Sequence, residues 1–129
     1  VTVTKAEIGL VSADGALADF YAEVFEIERL ETMDSGVGTV HRLDLPGALL
    51  KVMVPKRDPE PAPEAKAFFS FTGLRYLTFY VSGLDGILER ASACGGTVGH
   101  GPTDVGGGVR IAVLSDPDGN AIEMVELPA

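Results

Sequence analysis

Apolar and polar positions alternate, shift to helical spacing, and alternate again, and the chain runs through that cycle twice. The run over 5–12, Lys-Ala-Glu-Ile-Gly-Leu-Val-Ser, alternates and predicts a strand. Leu17, Phe20, Tyr21, Val24 and Phe25 then recur at helical spacing, with Asp14 placed to act as the N-cap. Strand-like runs follow over 28–32, 39–45 and 48–54, separated by Gly36 and Gly38 and then by Pro46-Gly47. The second cycle opens with a strand over 74–81. A helix follows, with Leu84, Ile87, Leu88 and Ala91 on one face, Ser82 as its cap candidate and Gly95-Gly96 at its end. The chain then turns into 97–99, and strands over 109–114 and 121–127 flank Asp116-Pro117-Asp118-Gly119. Each half reads strand, helix, strand, strand, strand.

The halves also align residue against residue. The stretch from Pro46 to Met53 lies over that from Asp118 to Val125, matching Gly47 to Gly119 and Lys51 to Glu123. The stretch from Ala6 to Leu10 lies over that from Arg75 to Phe79, matching Glu7 to Tyr76. Matching turns at matching places make this an internal repeat, and a repeat dictates architecture. The expected organisation is one domain with a first module over 1–54, a linker over 55–72 and a second module over 73–129. The linker is rich in proline and charge as far as Lys66 and closes with Phe68, Phe69 and Phe71. These aromatics either pack on the core or form a lid over a pocket.

Composition narrows the function classes. The chain has 129 residues and a net charge of −9, with no basic cluster to interrupt it, which disfavours nucleic acid and anionic lipid as partners. The acidic balance suits solubility and, secondarily, a cationic ligand. Cys94 is the single cysteine, so neither an intramolecular disulfide nor a cysteine zinc cluster can form. No stretch reads as a signal peptide or a membrane span, and a reducing cytoplasm is the expected compartment.

The opening strand and helix, with Phe20-Tyr21 inside the helix, and the closing stretch from Gly107 to Glu123 carry a family resemblance. The chain resembles the vicinal oxygen chelate superfamily of glyoxalases, bleomycin resistance proteins and extradiol dioxygenases over essentially its whole length. The resemblance implies an α+β fold of two tandem βαβββ modules whose mixed sheets surround one cavity, with helices on the outer faces. It also implies a homodimer. The turn Asp116-Pro117-Asp118-Gly119-Asn120 is its most recognisable part, and its chemistry is that of a tight turn that sets the register of the last strand.

Within that fold, strand parity leaves Glu7, Gly9, Val11, Lys51 and Met53 facing the cavity from one module. From the other it leaves Tyr76, Thr78, Tyr80, Glu123 and Val125. The positions at which metal-dependent relatives hold a cation correspond to Glu7, Lys51, Tyr76 and Glu123, and only Glu123 keeps the usual identity. Protonated lysine has no lone pair, and neutral tyrosine is a poor ligand. No metal and no cofactor are therefore expected, beyond a hard divalent cation that Glu7 and Glu123 would hold with several waters. A salt bridge from Lys51 to Glu7 or Glu123 would replace the metal structurally, or one carboxylate is poised as a general base. His41 lies in a strand whose facing the pattern leaves open, and His100 reads as a solvated loop residue.

Three readings follow. The preferred one is a binding or sequestering protein with a metal-independent small-molecule pocket, its ligand aromatic or cationic, lined by Met53, Phe68, Phe69, Phe71, Thr78, Tyr80 and His41. The second is a metal-free acid/base enzyme (an isomerase, cyclase or lyase) that uses Glu7 or Glu123, with Tyr76 or Lys51 stabilising negative charge. The third is a metal-dependent lyase or dioxygenase with altered ligands.

Overall fold

Each change of period becomes an element in the computed structural model, which describes residues 2–63 and 68–129. The part of the expected linker over 64–67, Lys66 included, lies outside them. The elements in chain order are strand β1 (Glu7–Val11), helix α1 (Ala16–Val24), and strands β2 (Glu28–Ser35), β3 (Gly38–Leu45) and β4 (Ala48–Pro55). The same order returns as β5 (Tyr76–Tyr80), α2 (Leu84–Ala93), β6 (Thr97–Asp104), β7 (Arg110–Ser115) and β8 (Ala121–Glu126). The chain divides into two compact units, Val1–Pro61 and Ala62–Ala129.

Each unit is a βαβββ module built on a four-stranded mixed sheet. The strand orders are β1-β4-β3-β2 and β5-β8-β7-β6, with β1–β4 and β5–β8 parallel and the other pairs antiparallel. The repeat extends to register: Glu7 pairs with Leu49 and Gly9 with Lys51, as Tyr76 pairs with Ala121 and Thr78 with Glu123. Gly47 and Gly119 both take positive φ, 78° and 91°, in the equivalent turns before β4 and β8. Glycine is the residue that enters this region without a Cβ clash.

In the first unit the core lies between α1 and one sheet face. Leu17, Phe20, Tyr21 and Val24 of α1 are buried, as are Leu43, Leu50 and Val52 of the sheet. Tyr21 and Phe25 stack with ring centroids 5.9 Å apart. In the second unit, Leu84, Ile87, Leu88 and Ala91 of α2 are buried, together with Leu114, Ile122 and Met124. Each fully buried large side chain of this kind stabilises the fold by roughly 1.5–3 kcal/mol.

Several boundaries differ from the sequence expectation. Helix α1 is capped at Gly15, one residue after Asp14, although the Asp14 carboxylate accepts the Ala16 N–H at 2.8 Å. Helix α2 is capped at Gly83 rather than Ser82, and its first N–H, from Leu84, goes to the Glu126 carboxylate at 2.8 Å. Strands β2 and β6 run past their expected ends to Ser35 and Asp104, both at sheet edges with irregular register. Gly99, Gly101 and Pro102 hide β6 in the sequence, yet an edge strand tolerates them because its outer N–H groups need no ladder partner. His100, expected in a loop, lies in this strand and pairs with Val113. Among the described residues no helix is long and apolar enough to cross a membrane.

Candidate functional site

The face of the first unit's sheet opposite α1 gathers charge. Glu7 opens β1, and Lys51 lies on β4 in register with Gly9, whose missing side chain leaves open space beside it. The Lys51 ammonium Nζ stands 3.2 Å from Glu7 Oε1, and Lys5 Nζ stands 3.4 Å from Oε2. Both carboxylate oxygens are thus engaged by cations. Donation from Lys51, and then from Lys5, holds the Glu7 carboxyl below the usual carboxylate range. A third cation, Arg42 on β3, pairs in register with Lys51 and donates through Nη1 to the Glu31 carbonyl at 3.2 Å. These groups line a concavity of about 330 Å³ whose apolar wall comes from Met33, Val40 and Leu49. Met53, two residues beyond Lys51 on β4, shares its face by strand parity.

His41 lies elsewhere. It pairs with buried Val52, so its ring is on the α1 side of the sheet, beside Gly15. Its Nδ1 is 3.0 Å from Arg29 Nη2, and Arg29 also pairs with Asp19 of α1. An arginine only donates, so Nδ1 accepts here. The ligand-facing place considered for His41 is therefore replaced by a position at the helix–sheet junction. The alternation of β3 carries the signal: Leu43 and Leu45 are apolar at positions two and four residues on, and share the face of His41. Arg42, which the sequence reading passed over, takes the other face for the same reason.

In the second unit, Tyr76, Thr78 and Tyr80 of β5 and Glu123 of β8 share the sheet face opposite Leu77, Phe79, Ile122 and Met124. Thr78 Oγ1 donates to Glu123 Oε1 at 3.0 Å. Tyr76 meets Phe68 edge to face, with centroids 4.8 Å apart, and Phe68 meets Phe69 at 5.3 Å. Phe69 and Phe71 are 78% and 58% exposed, so of the two alternatives for this cluster, core packing does not hold for these two.

Of the four residues at which the resemblance implies ligand positions, Glu7 and Lys51 lie in one unit, and Tyr76 and Glu123 in the other. The first two do not fit a divalent cation, because one is an ammonium and the other is bound by two ammonium groups. Among the described residues no three His, Cys, Asp or Glu side chains are gathered to hold a metal.

A second polar network serves the fold. Arg110 of β7 donates to Asp85 of α2 at 2.7 Å and to Glu126 of β8 at 3.2 Å, which raises the arginine's affinity for its proton and lowers that of Asp85. In the turn before β8, buried Asp116 accepts the N–H groups of Asp118 and Asn120 and the Asn120 side-chain amide, each at 2.9 Å.

The family model of the Glyoxalase/Bleomycin resistance protein/Dioxygenase superfamily matches residues 10–124. The chain belongs to this superfamily. Among solved structures, a glyoxalase family protein from Bacillus cereus is similar at a TM-score of 0.84 and 14% identity, over 99% of this chain and 97% of that one. The fosfomycin resistance protein FosX from Listeria monocytogenes gives 0.72 and 17%, over 100% and 94%. TioX from Micromonospora sp. ML1 gives 0.64 and 23%, over 98% and 100%. At these identities the likeness to these proteins is one of fold, and a fold hosts many chemistries. No curated protein matches the chain significantly.

Proposed function

We infer that this superfamily member binds a small organic molecule in a metal-independent pocket and holds it without turnover. One observation carries the reading: Lys51 pairs with Glu7, reinforced by Lys5, and Lys51 and Glu7 are two of the residues to which the resemblance assigns ligand positions. A carboxylate held ionised in this way is a weak proton acceptor, so Glu7 is a poor general base. Among the described residues no nucleophile and base are brought together in a way that would argue for covalent catalysis.

The test is elemental analysis of protein purified without chelator or added metal, followed by ligand screening of the same material. Substoichiometric metal, with ligand binding indifferent to added zinc, iron, nickel or manganese, is the expected result. A near-stoichiometric transition metal that is needed for binding or turnover would overturn it.

One observation favours a second reading. Thr78 fixes one oxygen of Glu123, and among the described residues no cation pairs with that carboxylate. Glu123 is thereby the better acid/base candidate of the two. Loss of turnover in Glu123→Gln, with ligand affinity nearly unchanged, would establish this enzymatic reading; weakened binding with no turnover in either protein would exclude it. The resemblance also supports a homodimer, which the mass in solution by light scattering would test.

A further inference from the structure

We propose that the concavity on the first unit's sheet is a receptor for the carboxylate group of a small organic anion, with Arg42 and Lys51 as its binding residues. This deepens the metal-independent pocket reading and rests on it, by naming the sign of the ligand's charge. That sign is opposite to the one the whole chain suggests.

The local charge is the first argument. Lys5, Arg42 and Lys51 stand against Glu7 and Asp34 around this concavity, three cations to two anions, within a chain of net charge −9. Asp34 already accepts a hydrogen bond from Thr39 at 3.2 Å, and Glu7 is taken up by Lys5 and Lys51. A small ligand experiences the local field more than the net charge, because at physiological ionic strength exposed charges are screened beyond roughly 8 Å.

The second argument is the placement of Arg42. It stands directly opposite Lys51 in the β3–β4 register. Like charges directly opposite each other on neighbouring strands destabilise a sheet. Glu7 offsets only the Lys51 side, since its oxygens face Lys51 and Lys5. Among the described residues the Arg42 side chain makes one hydrogen bond, through Nη1 to the Glu31 carbonyl, and has no carboxylate partner. The guanidinium fork retains donors suited to a carboxylate. A bound anion would relieve the repulsion between Arg42 and Lys51.

The third is shape and lining. About 330 Å³ is the lower end of the size range of ligand pockets, and the wall of Met33, Val40 and Leu49 suits an apolar body behind the charged head. A bare inorganic anion would leave that wall unused.

The test uses benzoate, benzylamine of the same shape and opposite charge, and inorganic phosphate. Each is titrated into metal-stripped, desalted protein and followed through backbone amide shifts. Benzoate is expected to move signals of β1, β3 and β4, with benzylamine inert and phosphate at least tenfold weaker. Arg42→Met should weaken benzoate binding about tenfold or more, the loss of one charge-assisted hydrogen bond. Arg42→Lys, which keeps the charge without the fork, should fall between and guards against a folding defect in the methionine variant. Glu7→Gln should tighten benzoate, because it removes the nearest negative charge and frees Lys51 and Lys5.

Benzylamine binding in place of benzoate, with Glu7→Gln weakening it, overturns the inference and leaves a metal-independent pocket standing. Silence of all three probes, phosphate binding as tight as benzoate, or benzoate binding unchanged in both Arg42 variants, also overturns it. Binding of any probe only after a metal is added back sinks the underlying pocket reading instead.

Discussion

Lys51 Nζ meets Glu7 Oε1 at 3.2 Å across the space left by Gly9, joining β4 to β1 by an ion pair at the first unit's charged face. Lys5 holds the other oxygen at 3.4 Å. The carboxylate is consequently fixed between two cations, and its titration reports on both.

Glu7 should therefore titrate below the ordinary glutamate value of about 4.3. Because the folded-state value is the lowered one, the stabilisation from this pairing is present above the ordinary value and is lost as pH falls through the lowered one. Lys51→Met should move the Glu7 midpoint back up toward the ordinary value and flatten the acid limb of the stability profile. Carboxyl-carbon NMR through an acid titration of both proteins checks this, and an unmoved midpoint would refute it.

Glu126 ties the end of β8 to the start of α2, because its carboxylate accepts the Leu84 N–H that no local cap receives. Glu126→Ala should cost about 1–2 kcal/mol in urea unfolding, the range of a lost N-cap. Glu126→Gln should cost less, since an amide oxygen still accepts although it no longer attracts Arg110.

Asp116 is 3% exposed, and its carboxylate accepts hydrogen bonds from the Asp118 and Asn120 backbone N–H groups and from the Asn120 amide. Replacing Asp116 with alanine removes the acceptor of these part-buried hydrogen bonds, and roughly 1–3 kcal/mol of destabilisation should follow. Asp116→Asn should retain part of this, because its carbonyl oxygen can serve the two backbone N–H groups. Equilibrium unfolding of the two variants separates the contributions.

Gly38 opens β3 against the end of β4, where an added Cβ would meet the Val54 carbonyl oxygen and lie 2.7 Å from Pro55 Cα. Both are backbone atoms, so the strands must part rather than a side chain yield. Gly38→Ala should destabilise by about 1–3 kcal/mol. It should also shift amide signals at Asp34 and Ser35, which line the concavity beside this strand end.

Much of the site was readable from parity alone. The face shared by Glu7 and Lys51, and that shared by Tyr76, Thr78 and Glu123, follow from alternation along short strands. The same rule, applied to Leu43 and Leu45, assigns His41 to the helix side and Arg42 to the other. The ends of α1 and α2 were less legible, because Asp14 and Ser82 both fit a capping pattern while glycines occupy the cap positions.

The sequence by itself determined the order of elements, the repeat, the equivalence of Lys51 with Glu123 and the superfamily. The first three rest on local periodicity and on turn residues whose backbone preferences are intrinsic, whereas the superfamily was legible as a resemblance carried by the opening strand and helix and the stretch from Gly107 to Glu123. Tertiary structure decided which charges meet. That Lys51 answers Glu7 follows from the pairing of β1 with β4, and that Glu126 caps a helix 42 residues earlier from the docking of α2 on its sheet; Arg42 faces Lys51 through the β3–β4 register, and Lys5 joins its near neighbour Glu7. Coulombic and hydrogen-bond partners are set by separations of a few ångströms, and neither composition nor net charge contains those distances.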